Sequence, residues 1–262
     1  MLNDSLHGNR EILSMKIQFS KVLAFALSTS PIFAFAETIK GVGNIWCPWM
    51  MEDDKKSALG AGVDIFKELA KRSGVEATVT IYPQIRRDKM FEKNEIDAEV
   101  GVSEEWRGYQ KDISVYTVPF FETVNVVLVR AKDGITTDSS DGFKGKTIGG
   151  NIGYFYTDGF QQGFEKGLMK RQDVAEGGAL MKMLESKRVD GIIMDRSESK
   201  YWLRKLNLNP KDYKEGFVFK TVTQLSMRFH KNKKELLPKF NKAIEDMKKS
   251  GEITKIIDKY TM

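Results

Sequence analysis

Several residues in this chain have types and spacing suited to gripping a small polar molecule. Arg107 follows the run Asp97-Ala98-Glu99-Val100-Gly101-Val102-Ser103 by a short polar loop. Its planar guanidinium offers a carboxylate two parallel hydrogen bonds, which lysine cannot reproduce. Arg86 and Arg87 stand in a second basic turn, after Pro83. Gly149, Gly150 and Gly153 surround Asn151, ahead of a helical pattern that the sequence places from about Tyr154. A glycine-rich turn entering a helix leaves N–H groups facing an anion. Trp46 and Trp49 flank Cys47-Pro48, and an indole brings a large apolar face with an N–H that needs a partner when buried. Asp195 ends an apolar run and precedes Arg196-Ser197-Glu198, which is also how a helix N-cap reads.

Other chemistries find little support. The glycines match neither the P-loop pattern nor a Gly-x-Gly-x-x-Gly running from strand to helix, so a nucleotide site is rejected. The single cysteine, Cys47, allows no internal disulfide. His230 lies beside Lys231 in a basic turn and reads as solvated surface. Met181 and Met183 accompany a helical apolar stripe and read as core filler rather than a metal site. No nucleophile–histidine pair stands out. Glu104 and Glu105 beside Arg107 are the one hint of acid–base chemistry, and surface carboxylates explain them equally well. No metal and no cofactor are expected.

These residues must be positioned by alternating strands and helices. Thr38–Ile45 reads as a strand that Pro48 closes off. Gly60–Gly74 is an amphipathic helix with Val63, Phe66 and Ala70 in register and a closing glycine. Val75–Tyr82 alternates as a strand, and a short helix carries Met90 and Phe91. Asp97-Ala98 opens a buried strand, and residues 124–129 form a second one. The polar stretch 131–144 is a connector. Strands follow at Thr147–Gly149 and Gly191–Met194, with Leu180, Met183 and Leu184 on the helix between them and Tyr201, Trp202 and Leu206 on the helix after. Phe217–Phe219 and Leu225–Phe229 read as two late strands. Glu235–Met247 and Gly251–Tyr260 are closing helices.

In their order and spacing these features resemble a type 2 periplasmic solute-binding protein of the polar amino-acid-binding family, the bacterial extracellular solute-binding proteins of family 3. The likeness rests on Asp97-Ala98, the Arg107–Asp112 spacing, Lys144–Gly149, Arg188–Asp195 and the closing Gly251–Tyr260 segment, and it covers nearly all of residues 37–262. Pro83-Gln84-Ile85-Arg86 and Gly153-Tyr154-Phe155-Tyr156 are similar to turns of one branch, Pro-Trp-x-Arg and Gly-Tyr-x-Tyr. The chain departs from the family at Gly62, where an acid is usual, and at Glu104-Glu105, in a loop one residue short.

The resemblance implies an α/β, two-lobed periplasmic-binding-protein-like II fold joined by two crossover strands. One lobe would span 37–124 and 225–262, the other 125–224. It further implies a cleft in which Trp46 or Trp49 stacks on the ligand, and Arg107, aided by Ser103 and the backbone near Gly153, grips a carboxylate. Arg86 would be the substitute anchor. Tyr154 and Tyr156 would narrow the space, and Asp195 would receive an ammonium. The implied function is capture of a small polar, carboxylate-bearing ligand, an amino acid or a relative of one, for ABC-type uptake. A ligand sensor or a dehydratase-like enzyme of the same fold is the alternative. The implied partners are the ligand and a membrane permease or receptor. No nucleic acid is expected, and the chain is expected to be monomeric.

Composition agrees with that class. The chain carries 42 Lys and Arg against 36 Asp and Glu, a net +6, mixed along its length; a nucleic-acid binder would cluster them. Residues 1–36 read as a leader. Met15-Lys16 and Lys21 are basic, Val22–Phe33 is mainly apolar, and Ala34-Phe35-Ala36 is an A-x-A cleavage site before Glu37. The apolar run is shorter than the roughly 20 residues a membrane helix needs. Residues 1–14 read as an upstream extension, with Met15 the start. The leader holds three of the basic and two of the acidic residues, leaving +5 for a mature chain exported to the periplasm.

Overall fold

A computed structural model describes residues 37–262. The leader, its cleavage site and the start at Met15 lie outside the described residues. The chain alternates strand and helix in the order β1 (Thr38–Gly43), β2 (Met51–Glu52), β3 (Ala58–Leu59), α1 (Ala61–Arg72), β4 (Glu76–Ile81), α2 (Gln84–Glu92), β5 (Ala98–Val102), β6 (Ser114–Tyr116) and β7 (Phe121–Arg130). It continues through β8 (Thr147–Asn151), α3 (Phe160–Glu165), β9 (Lys170–Val174), α4 (Gly177–Glu185), β10 (Gly191–Asp195), α5 (Arg196–Lys205), β11 (Tyr213–His230), α6 (Leu237–Lys249) and α7 (Glu252–Thr261).

Nine strands form one curled sheet ordered β4-β1-β5-β11-β7-β10-β8-β9, with β6 also on β11. Its outer parts are parallel: β4-β1-β5 on one side and β10-β8-β9 on the other. Both are joined through the antiparallel pair β7 and β11. Each parallel set is a βαβ unit whose helices cover it, as such connections require. The two late strands expected at Phe217–Phe219 and Leu225–Phe229 are one continuous strand of 18 residues. Of the residues between them, Val222, Thr223 and Gln224 pair with β7 and keep the ladder running. Along it Val218 faces Val126 and Val222 faces Val124, so β11 takes four residue steps where β7 takes two. Such a bulge bends a strand and increases its twist, and it falls where β11 passes from one half of the sheet to the other.

The apolar residues sort to match. One buried cluster gathers Ile39, Ile65, Phe66 and Leu69 from the N-terminal segment with Leu225, Met227, Phe229, Phe240 and Ile244 from the C-terminal one. Two others lie on residues 127–219: Val127, Ile148, Phe160 and Phe217 in one, Leu128, Leu180, Leu184 and Ile192 in the other. Helix α7 is tied to α1 by Asp64 Oδ2, which accepts from Lys259 Nζ at 2.9 Å and Tyr260 Oη at 2.7 Å. No helix among the described residues is long and apolar enough to cross a membrane.

Two expectations are corrected here. The helix placed from Tyr154 begins at Phe160, after turns through residues 152–159, because Gly159 takes the left-handed conformation that starts it. His230 is not solvated but 5 % exposed, with its ring edge-on to Phe91 at 5.3 Å. As the last residue of β11 its backbone N–H donates to Asp97 O, and this pairing draws the side chain inward.

Candidate functional site

In open α/β sheets, ligands meet the carboxyl ends of parallel strands. Here those ends carry most of the residues singled out above: Trp46 and Trp49 after β1, Ser103 and Arg107 after β5, Gly153 and Tyr154 after β8, and Asp195 at the end of β10.

The aromatic wall is continuous. The Trp46 ring lies 6.0 Å from Trp49 and 6.0 Å from Trp106, and Trp49 lies 4.9 Å from Phe121. The turn between the two tryptophans is closed by a cis Cys47–Pro48 bond and by paired backbone bonds between Trp46 and Met50. Gly60 and Gly62 let α1 approach it: a Cβ at either would press on the Trp49 carbonyl. Trp49 is 2 % exposed and its indole N–H has no partner among the described residues. Trp46 is half-buried.

Arg107 is brought to this wall by its backbone, but its side chain turns under it. Nε and Nη2 donate to Glu99 at 2.9 and 2.5 Å, and Nη1 donates to the Trp106 carbonyl at 3.0 Å. Arg87 donates to the same carboxylate, and Arg228 reaches it at 2.9 Å. One buried carboxylate therefore serves three guanidiniums. Burial pushes the Glu99 carboxyl up, and the arginines, Arg107 first, more than offset it, so it titrates below its ordinary value. Burial likewise opposes the Arg107 charge, and Glu99 more than restores it. Arg228 is held further by Ser114, Gln110 and the Phe91 ring, 3.7 Å from its central carbon. Sequence reading missed Glu99, whose partners lie 12, 8 and 129 residues away. An acid inside an otherwise apolar strand was the available signal.

The opposite wall is acidic. Asp195 is 4 % exposed and caps α5: Oδ1 accepts from Ser197 N at 2.8 Å and Glu198 N at 3.1 Å, and Oδ2 accepts from the Thr123 hydroxyl. Burial raises its pKa against those hydrogen bonds. Glu198, on the first turn of α5, was not anticipated. Its carboxyl is 7 % exposed, accepts from Trp202 Nε1 at 3.2 Å and lies within reach of Trp46. Burial, with the nearby Asp195, raises its pKa to about 7. Gly177 and Gly178 make this packing possible, because a Cβ on them would overlap the Glu198 carboxyl and the Trp202 ring. Tyr154 is exposed along much of its ring, and desolvation and Glu198 hold its hydroxyl above the usual phenol value. Cys47, beside Tyr201 and Glu198, is raised to about 11, chiefly by burial.

The structure thus brings Trp46, Tyr154 and Asp195 together around Glu198, with Trp49 packed behind Trp46 and with Ser103 and Arg107 next to Trp106. It does not bring Tyr156 or Arg86. Tyr156 is buried among Phe160, Phe164 and Phe219, and its hydroxyl accepts from Asn151 N at 2.8 Å. Arg86 is exposed on α2, stacked on Tyr82 at 4.3 Å beside a surface cavity of about 350 Å³ lined also by Pro83, Ile85 and Met90. Gly153 is open, with no atom of the described residues within 4 Å of its missing Cβ and φ of 79°, and it lies well ahead of α3 rather than at its N-terminus.

Comparison with known proteins gives a consistent picture. The family model of bacterial extracellular solute-binding proteins, family 3, matches residues 39–262. The L-cystine-binding protein TcyJ of Escherichia coli K12 is 22 % identical over 223 residues, covering 84 % of this chain and 80 % of that protein. Among solved structures, substrate-binding domain 2 of Lactococcus lactis GlnP in its open conformation superposes with a TM-score of 0.68 at 19 % identity, over 86 % of this chain and 95 % of that one. The arginine-bound amino acid ABC transporter substrate-binding protein AbpA of Streptococcus pneumoniae superposes at 0.62 with 20 % identity, over 86 % and 94 %.

Proposed function

The chain belongs to the bacterial extracellular solute-binding proteins, family 3, and from that premise we propose that it captures a small amino acid or related carboxylate between two lobes and delivers it to an ABC-type permease. The observation that carries this reading is the convergence of four strand ends, β1, β5, β8 and β10, on one aromatic and acidic cluster. The lobes would be residues 37–124 with 225–262, and 125–224, because the buried apolar clusters divide along those bounds. Trp46, half-buried with its ring against Trp49 and Trp106, would be the stacking wall, with Tyr154 on the other lobe.

The carboxylate end belongs to the Ser103–Arg107 loop. Three guanidiniums share Glu99, so Arg107 can turn to a ligand while Arg87 and Arg228 keep that carboxylate paired. A binding role is favoured over an enzymatic one because Glu104 and Glu105, the candidate acid–base pair, are exposed and their carboxylates make no hydrogen bond or salt bridge with this cluster among the described residues. Export would follow cleavage before Glu37, which the intact mass of protein from the periplasmic fraction reads directly.

The functional test is a thermal-shift panel of the twenty amino acids, L-cystine and small carboxylates on residues 37–262. A ligand at 100 times its Kd stabilises a protein by about 2.7 kcal/mol, enough to single out a binder. A flat panel would overturn the amino-acid reading.

A further inference from the structure

Every strongly buried carboxylate needs an account, because an ionised carboxylate removed from water is stable only when paired or fully hydrogen-bonded. Glu99 has three arginines. Asp195 has two backbone N–H groups and a hydroxyl. Glu198 has a single indole donor at 3.2 Å and a second indole nearby. It makes no salt bridge among the described residues, although it is as buried as the other two.

The groups that face it are informative. From its own helix come Trp202 and, one position away, Tyr201, which lies against Cys47. From the loop after β1 come Trp46 and Cys47. From the loop after β8 comes Tyr154, from the end of β10 comes Asp195, and from the first turn of α4 come Gly177 and Gly178, which bring no side-chain charge. None of these is cationic at neutral pH, and four are aromatic. A carboxyl edged by electron-rich rings is the chemistry that holds an ammonium or guanidinium, the rings attracting the cation by their faces and the carboxylate by charge. On the lobe bounds proposed above, Trp46 and Trp202 belong to opposite lobes, so a parting of the lobes would open the carboxyl to a solute.

We propose that Glu198, between Trp46 and Trp202, is the receptor for a second cationic group of the solute, an ammonium or guanidinium remote from the carboxylate held near Arg107. The ligand class is then an amino acid with a basic or second amino-bearing end. This rests on the solute-binding reading above and deepens it. Asp195 acts through its neighbour: by capping α5 it fixes the first turn and with it the direction of Glu198.

The test is calorimetric titration of residues 37–262 with L-arginine and with L-citrulline, which replaces the guanidinium by a neutral group of the same shape. L-lysine and L-glutamine form a second pair. The expected result is at least tenfold tighter binding of each basic member, with Glu198→Gln reducing that ratio to near one while citrulline or glutamine binding is retained. Glutamine preserves the acceptor for Trp202, and a melt of the variant checks its fold. The wild-type ratio measured from pH 8 down to 5.5 gives a readout independent of the variant; it should fall as Glu198 takes up a proton. Equal binding of both members of each pair, or a ratio unmoved by Glu198→Gln and by pH, overturns this assignment while leaving amino-acid binding in place. A uniform loss of all four ligands in the variant overturns it too, since Glu198 would then hold a group common to all. Failure of every amino acid to bind the wild type overturns both readings.

Discussion

Arg228 and Glu99 are direct cross-strand neighbours on β11 and β5, and Arg228 Nη1 donates to Glu99 Oε2 at 2.9 Å in an almost dry interior. Because Arg87 and Arg107 end on the same carboxylate, Glu99 holds together α2, the loop after β5 and β11. Removing one partner of a buried ion pair typically costs about 3–5 kcal/mol, mostly from the charge left unpaired. Glu99→Gln should therefore lower the unfolding free energy by about that amount in urea denaturation, without ligand present. Because the folded-state pKa of Glu99 lies below its unfolded value, its contribution is complete above about pH 4.5 and is lost as pH falls through the lower folded value. The acid limb of the stability profile should flatten in the glutamine variant.

His230 predicts a second acid effect. Burial first, then Lys231 and Arg228, lower its pKa from 6.5. The unfolded chain takes up a proton near pH 6.5 while the folded chain does not, so stability is full above that pH. It should decline between 6.5 and the lower folded value. His230→Gln should remove this segment of the profile, and a urea midpoint series from pH 7.5 to 5 measures it.

Much of the frame was readable in the sequence because local pattern and local structure coincide there. Val63, Phe66 and Ala70 announce α1, and Gly191–Asp195 reads as the buried strand it is. What was not readable depends on partners far apart in the chain. Arg107 looks like a free anchor until Glu99 is seen to hold it, and that pairing requires β5, α2 and β11 to be packed. Tyr156 and Tyr154 are two residues apart and look equivalent, yet one turns into the lobe and the other toward Glu198. His230 carries a basic neighbour, but its position at the end of β11 buries it. The helix after Gly153 was placed too early because Tyr154-Phe155-Tyr156 is apolar enough to continue the pattern, whereas Gly159 supplies the turn that starts it.

Asp195 separates capping from charge. Asparagine retains an acceptor for Ser197 and Glu198, so Asp195→Asn should keep the helix and leave solute affinity within about a factor of three. Asp195→Ala removes the cap, worth about 0.5–2 kcal/mol, and leaves the Thr123 hydroxyl without its acceptor. The alanine variant should melt lower and bind more weakly, with the loss in both tracking the disordered first turn of α5. A tenfold or greater loss of affinity in the asparagine variant would instead make Asp195 itself a ligand contact.

The sharpest prediction concerns Arg107 against Arg86. Both are arginines in turns that could carry a carboxylate anchor. Arg86 is exposed on α2, stacked on Tyr82, and outside the Trp46 cluster. Arg107 lies beside it, joined through the Trp106 carbonyl and the Trp46–Trp106 contact. Its present hold on Glu99 does not bar it from a ligand, since that carboxylate is over-supplied with cations and keeps two if Arg107 leaves. A ligand carboxylate would replace like with like, and the two-pronged guanidinium geometry is what lysine lacks. Arg107→Lys should cost about 2–5 kcal/mol of binding free energy, as for a buried charge pair broken at one partner. Arg86→Lys should change it by less than about 0.5 kcal/mol, as surface substitutions usually do. Titration of both variants with the amino acid identified by the thermal-shift panel decides between them. Unchanged affinity at Arg107 would end the assignment and make that arginine purely a brace for Glu99.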